Sequence, residues 1–271
     1  MARPKWRRLA DELATRIRNG EWAVEQALPQ IRELTAHGAG STTTVQAAYR
    51  ALEAEGLVRT VRGRGTYVRR RRAPFVREPQ TRYQWEKDRA LLPEDVRCAD
   101  SIPEHETGLR RPQLEFDAQY EVVGAPPAIA RLFGVPEETR MLHRHYWTTS
   151  KADGAAISII DSWVVHAVVA RNPMLLDSGQ EPWPGGSMHQ FRTVGVEIGE
   201  ISDHISARPP TTMEAELLDL DAGTAVIVVK KSAYSTTGEL VEYSYVVLPG
   251  DRYELRYRVP LAPWPSIGDL D

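Results

Sequence analysis

The sequence predicts an α+β protein in two parts: a small helical N-terminal unit closed by a basic hairpin, and a larger C-terminal unit on a mainly antiparallel sheet. Three observations carry this. Apolar residues recur at helical spacing over residues 6–19 and again over 45–52. Beyond residue 140, strand-like segments joined by tight turns outnumber helices. The charge divides the same way: residues 1–72 hold 15 Lys/Arg and 7 Asp/Glu, net +8, whereas the remainder holds 19 and 30, net −11.

The elements follow in order. Trp6, Leu9, Ala10, Leu13, Ala14 and Ile17 mark one helix face, and Gly20 ends that helix. Leu28-Pro29 leads into a short second helix at 31–34. The turn Gly38-Ala39-Gly40 precedes Ser41, a favourable N-cap for a third helix. On that helix Val45, Ala48, Tyr49 and Leu52 should face the core, leaving Thr42, Thr43, Gln46, Ala47 and Arg50 outside. Residues 57–61 and 66–69 read as a hairpin around Arg62-Gly63-Arg64-Gly65. Helix, short helix, turn, helix and basic hairpin is the order of a winged helix-turn-helix. A helix with short polar side chains at its start can enter the major groove, and a glycine-rich basic hairpin can approach phosphates.

Residues 69–84 read as a linker, with an arginine run at 69–72, Pro74 and Pro79. The expected division is a DNA-binding unit at 1–72, a linker at 73–84, and an effector-binding and dimerisation unit at 85–271. Strands are predicted at 141–149, 156–165, 226–234, 240–248 and 253–259. Short helices fit at 127–133, 187–193 and 212–218, the last opened by the capping-box pair Thr211 and Glu214.

Composition narrows the function classes. With 42% hydrophobic and 26% charged residues, the 271-residue chain has apolar material enough for a buried core. No apolar run approaches the roughly 20 residues of a membrane helix. The basic start is followed by no segment of signal-peptide type. The single cysteine, Cys98, excludes an intramolecular disulfide and a cysteine-rich metal site, and fits a reducing cytoplasm.

Four motifs then stand in sequence: Leu28-Pro29-Gln30-Ile31-Arg32-Glu33-Leu34, Ser41-Thr42-Thr43-Thr44-Val45, Glu55-Gly56-Leu57-Val58 and Gly63-Arg64-Gly65-Thr66-Tyr67-Val68. Together they resemble the GntR family of bacterial regulators. The strand-rich remainder, with 238–243 and 249–253, is similar to the HutC branch, whose effector domain is called UTRA and has a chorismate-lyase-like fold. Residues 82–114 resemble, more weakly, a set of actinobacterial and conjugative-plasmid regulators. The resemblance implies a cytoplasmic homodimeric repressor bound to a palindromic double-stranded operator, released by a small-molecule effector. It implies that Arg32 contacts phosphate or a base, that Thr43 and Gln46 face the groove, and that Gly65 lets the wing approach the minor groove. Ser41, Thr42, Thr44, Arg50, Arg62 and Arg64 complete the expected DNA-facing set. Gln30, Gly40 and Thr42 depart from the family's serine, valine and arginine, so the operator should differ from the common pattern and the Gly40 turn should be less packed.

In the C-terminal unit Arg144 shares a strand face with Leu142 and Tyr146. An arginine fork suits a carboxylate or phosphate, so Arg144 is read either as an anion contact in a pocket or as a salt-bridged residue. Glu242 is similar to an effector-binding glutamate of the family, with a solvent-facing strand position as the alternative. Leu248 stands where a sugar-phosphate-binding relative carries tyrosine. Tyr146 and Asp161 complete the expected effector set, for an effector of anionic character. His143 and His145 lie two apart and could hold a metal. With Asp161 as the only candidate third ligand, they are read as ordinary strand histidines, and no metal or cofactor is expected. Lys230 and Lys231 must point to opposite sides. Trp147, Trp163 and Trp183 are read as core. No nucleophile–base constellation is legible, so an enzyme is not expected. The alternative function is a ligand-independent architectural or plasmid-maintenance DNA-binding protein.

Overall fold

The computed structural model describes residues 3–69, 74–221 and 223–261. The N-terminal unit starts with α1 (Lys5–Arg18), whose Leu9, Ala10, Leu13, Ala14 and Ile17 are buried. It continues with α2 (Ile31–Ala36) and α3 (Thr42–Ala54), then β1 (Val58–Val61) and β2 (Gly65–Val68), paired antiparallel. An isolated antiparallel bridge from Ala27 to Tyr67 ties the loop before α2 to the wing. Leu13, Val45, Ala48 and Leu52 are wholly buried where α1 packs on α3, so truncating either leucine would cost about 2–5 kcal/mol.

The C-terminal unit opens with β3 (Phe75–Arg77), α4 (Pro79–Arg89), α5 (Glu94–Ala99) and α6 (Ile102–Thr107). Then follow β4 (Leu114–Gly124), α7 (Pro127–Phe133), β5 (Arg140–Ser150), β6 (Ala156–Val165) and α8 (His166–Val169). The rest is α9 (Gly186–Thr193), β7 (Ile198–Arg208), α10 (Thr212–Leu217), β8 (Val226–Ser235), β9 (Leu240–Pro249) and β10 (Tyr253–Leu255). Six strands form one antiparallel sheet in the order β4-β5-β6-β9-β8-β7. Its faces are separated by strand alternation. Leu142, Val164, Ala233 and Val241 pack with Phe191 and Met188 of α9 on one side. Met141, Trp163, Val165 and Tyr243 pack with Ile129 and Ala130 of α7 on the other. Among the described residues no helix is long and apolar enough to cross a membrane.

Three expectations change. Residues 75–84 are not a bare linker. β3 pairs in parallel with β10, Phe75 N donates to Arg252 O at 2.7 Å, and α4 begins at Pro79. The inward residues there are ionic: Arg77 and Arg82 both reach Glu106, at 3.3 and 3.1 Å. A helix that turns Glu86 and Arg89 inward shows no apolar period to read. The strand expected at 253–259 covers only Tyr253–Leu255. The edge strands β4 and β7 were not foreseen; beyond a buried first residue both are exposed or only half-buried and carry charges, as unpaired edges do. Arg70–72 of the arginine run lie outside the described residues.

Candidate functional site

The first candidate surface is built on α3. Burial of Val45, Ala48, Tyr49 and Leu52 forces Thr42, Thr43, Gln46 and Arg50 onto the exposed side. Arg32 is exposed in the first turn of α2, and Arg62 and Arg64 are exposed at the hairpin tip. Gly63 and Gly65 have φ of +76° and +135°, values that favour glycine and set the turn. These residues are exposed polar and basic side chains on α2, α3 and the hairpin of the N-terminal unit.

Ser41 and Thr44 have a different place. Ser41 Oγ accepts from Thr44 N at 3.2 Å and lies 3.0 Å from Thr44 Oγ1, so the pair caps α3. Gly40 is not loosely packed. A Cβ there would come within 2.8 Å of Thr44 Cγ2, at a φ of +136°. Gln30 and Glu33 form a capping box at α2, with Gln30 N donating to Glu33 Oε2 at 2.9 Å. The Tyr49 hydroxyl donates to Pro29 O and pins α3 to the entry of α2. Burial, reinforced by the Glu33 charge, pushes that phenol up to about 12.

The second candidate is a cavity of about 150 Å³ between the α9 side of the sheet and the segment from β3 to α6. Tyr146, Ser162, Glu242 and Lys231 line it from the strands, Glu181 from the approach to α9, Gln190 from α9 itself, and Trp85 from α4. Arg144 lies behind this lining rather than in it, 2% exposed. It donates to Glu242 Oε1 at 2.5 Å, Ser162 Oγ at 2.8 Å and Gln190 Oε1 at 2.8 Å. Lys231 Nζ sits 2.8 Å from Glu242 Oε2. Burial alone would raise the Glu242 carboxyl; the Lys231 and Arg144 charges outweigh it and hold it down at about 2. A solvent-facing Glu242 is thereby excluded. The anion anticipated at Arg144 is the protein's own.

Tyr146 donates to Glu181 Oε1 at 3.2 Å and lies 2.9 Å from Tyr120 Oη. Burial raises its phenol well above the ordinary range. His189 Nδ1 accepts from Trp183 Nε1 at 2.9 Å, and burial with the Arg97 and Arg192 charges lowers its pKa. Trp183 thus lines the cavity while packing against the core beneath α9. Leu248 is fully buried against Tyr253 and Val246. Among the described residues four guanidinium Nε atoms, of Arg77, Arg89, Arg97 and Arg144, are buried without a hydrogen-bond partner.

Asp161 does not belong to this cavity. Strand alternation places Ser162 inward and Asp161 on the opposite face, opposite His145. There it approaches His145 Nδ1 at 2.5 Å and His143 Nε2 at 3.4 Å, while Glu121 of β4 approaches His143 Nδ1 at 3.1 Å. Glu121 escaped the sequence reading because its strand did. Lys231 was visible only as one of two neighbours facing opposite ways; its place among Val229 and Ala233 on an apolar face was the available signal. Trp85, Glu86 and Arg77 carried none, because their segment has no apolar period.

Comparison with known proteins agrees with both units. Residues 5–68 match the family of bacterial regulatory proteins, gntR family, and residues 118–254 match the UTRA domain. An uncharacterized HTH-type transcriptional regulator of Streptomyces coelicolor is 33% identical over 254 residues, covering 94% of this chain and 92% of the relative. The histidine utilization repressor of Klebsiella aerogenes is 24% identical, with 94% of each chain covered. A crystal structure of a GntR-family transcriptional regulator superposes with a TM-score of 0.66 at 25% identity, covering 96% of this chain and 99% of that one. An N-terminal winged helix-turn-helix joined to an antiparallel α+β effector unit is thus what sequence, structure and relatives share, and the chain belongs to the GntR family of transcriptional regulators, in its UTRA-domain branch.

Proposed function

We propose that the protein is a homodimeric, cytoplasmic repressor whose hold on a palindromic operator is weakened by a small molecule in the UTRA cavity. The observation that carries this is the exposed row Thr42, Thr43, Gln46 and Arg50 on a capped α3, flanked by Arg32 and the Arg62–Arg64 wing tip. Such a row suits base edges, and the arginines suit phosphates. Two-fold symmetry of the protein would demand two-fold symmetry of the site. Two named repressors, of histidine utilization in Klebsiella aerogenes and NagR of Bacillus subtilis, support the sign of regulation.

The cavity argues for a particular kind of effector. Of its cations, Arg77, Arg82 and Lys231 each have an acidic neighbour already, and Arg89 donates to the Val96 and Arg97 carbonyls. Trp85, Trp183 and Phe116 supply apolar walls, and the Arg77 and Arg89 Nε donors lack acceptors. A compact neutral or zwitterionic molecule with an apolar body and one acceptor group fits this better than a phosphate does. The coupling route is short. Arg77 and Tyr253 line the cavity from β3 and β10, and the turn before β10 holds Asp251, which pairs with Arg69 of the wing. An occupant that shifts this small sheet shifts the base of the wing.

The test is to sequence the genomic fragments that the purified protein selects at physiological salt. A short palindrome upstream of a few genes is the expected result. Diffuse recovery, lost with modest added salt, would overturn the operator reading in favour of an architectural role.

A further inference from the structure

The side chains on the α7 face of the sheet form a constellation that regulation does not use. Glu121, His143 and His145 present one oxygen and two nitrogens within 4.8 Å of one another. The three residues come from registered positions: Glu121 lies opposite His143 on β4 and β5, and His145 lies opposite Asp161 on β5 and β6. The two imidazole rings are 4.0 Å apart, and His143 is stacked at 3.7 Å on Trp163, which fixes its plane. His143 Nε2 is buried without a hydrogen-bond partner, aimed at the Asp161 carboxylate. Two imidazoles this close repel each other if both are protonated.

We propose that Glu121, His143 and His145 form a binding site for a zinc-class divalent transition-metal ion, with Asp161 as the carboxylate that orients both histidines. The geometry is specific. Zn–N and Zn–O bonds of about 2.0–2.1 Å place tetrahedral ligand atoms about 3.3 Å apart. Glu121 Oε1 lies 3.1 Å from His143 Nδ1 and 3.9 Å from His145 Nε2, so small adjustments bring both spacings to the tetrahedral value. The opposite nitrogens, His143 Nε2 and His145 Nδ1, both then carry protons toward Asp161 Oδ1, at 3.4 and 2.5 Å. That is the arrangement in which a carboxylate outside the coordination sphere fixes the tautomer of each ligand. Two imidazoles and a carboxylate favour zinc, cobalt or nickel over calcium or magnesium. The fourth position faces outward, since Glu121 is exposed, and is open to water. A bound ion would tie the edge strand β4 to β5 and stiffen the sheet behind the cavity.

The test uses the full-length protein after chelation and dialysis, titrated with zinc by calorimetry and with cobalt by visible absorption, with Cys98→Ser as background. One ion per chain, with intense tetrahedral cobalt bands, is the expected result. His145→Ala and Glu121→Gln should each weaken binding by 100-fold or more, and Asp161→Asn by about 10- to 100-fold. Far-ultraviolet circular dichroism establishes that each variant is folded. Stoichiometric binding that survives in both folded ligand variants, or no binding below millimolar metal, overturns the site.

Discussion

Arg144 and Glu242 meet at 2.5 Å where Glu242 lines the UTRA cavity and Arg144 backs it, both almost wholly withdrawn from water. The carboxylate is shared with Lys231, so one buried anion serves two buried cations. This asymmetry decides what each substitution does. Glu242→Gln leaves Arg144 and Lys231 facing each other unpaired and should cost about 3–5 kcal/mol. Arg144→Met leaves Glu242 with Lys231 and should cost clearly less. Chemical denaturation of the two variants measures the difference, and equal losses would contradict a carboxylate shared in this way.

The same carboxylate links stability to acid. Its folded pKa is held down at about 2, below its ordinary value of 4.5. Stability from this group is therefore fully present above pH 4.5 and is lost as the pH falls toward 2. The unfolding free energy of the native protein should fall across that window more steeply than that of Glu242→Gln. Parallel pH profiles would show that the Lys231 and Arg144 charges do not act on Glu242 as described.

On the DNA-facing unit, residues differ in what they should change. Gln46→Ala should cost about 1–3 kcal/mol at one base position and relax preference there. Arg62→Ala and Arg64→Ala should weaken binding to all sequences alike, each lowering the salt slope by about 0.9 for a lost phosphate contact. Ser41→Ala should lower folding stability by about 1 kcal/mol, because Ser41 caps α3 through Thr44 N. Titration of operator and mismatched DNA at several salt concentrations separates the three effects. A Gln46→Ala variant with unchanged base preference would remove it from the reading face.

These residues also mark what was legible. The N-terminal unit could be read almost to the residue because its packing is apolar and periodic: Leu13 and Leu52 meet in one core, and Ser41 announces the helix it caps. The central strands could be read for the same reason. The cavity could be read only in half. Arg144, Tyr146 and Glu242 stand out on strands with apolar neighbours, whereas Trp85, Glu86 and Arg77 sit in a segment whose inward face is charged. Burial there rests on ion pairs formed across long sequence distances, such as Arg77 with Glu106, which no local pattern announces. Asp161 was assigned to the wrong face because its neighbour Ser162 is the inward residue, and a single step along a strand exchanges faces.

The link between the units can be tested without knowing the effector. Arg69 leaves the wing with its N–H bonded to Leu57 O at 2.9 Å, and its guanidinium reaches Asp221 and Asp251, each at 2.6 Å. Asp251 lies in the turn that opens β10, and β10 pairs with β3, whose Arg77 lines the cavity. Coupling between two sites is reciprocal, so operator DNA bound by the N-terminal unit must act on the same small sheet that an effector would move. Hydrogen exchange at the backbone amides of β3 and β10 should therefore change when operator DNA binds. In Arg69→Ala the operator affinity should stay within a few-fold, since Arg69 is committed to the two aspartates rather than to the wing tip. The DNA-induced change in exchange should be lost. A change that persists undiminished in Arg69→Ala would mean that the signal bypasses this ion-pair cluster.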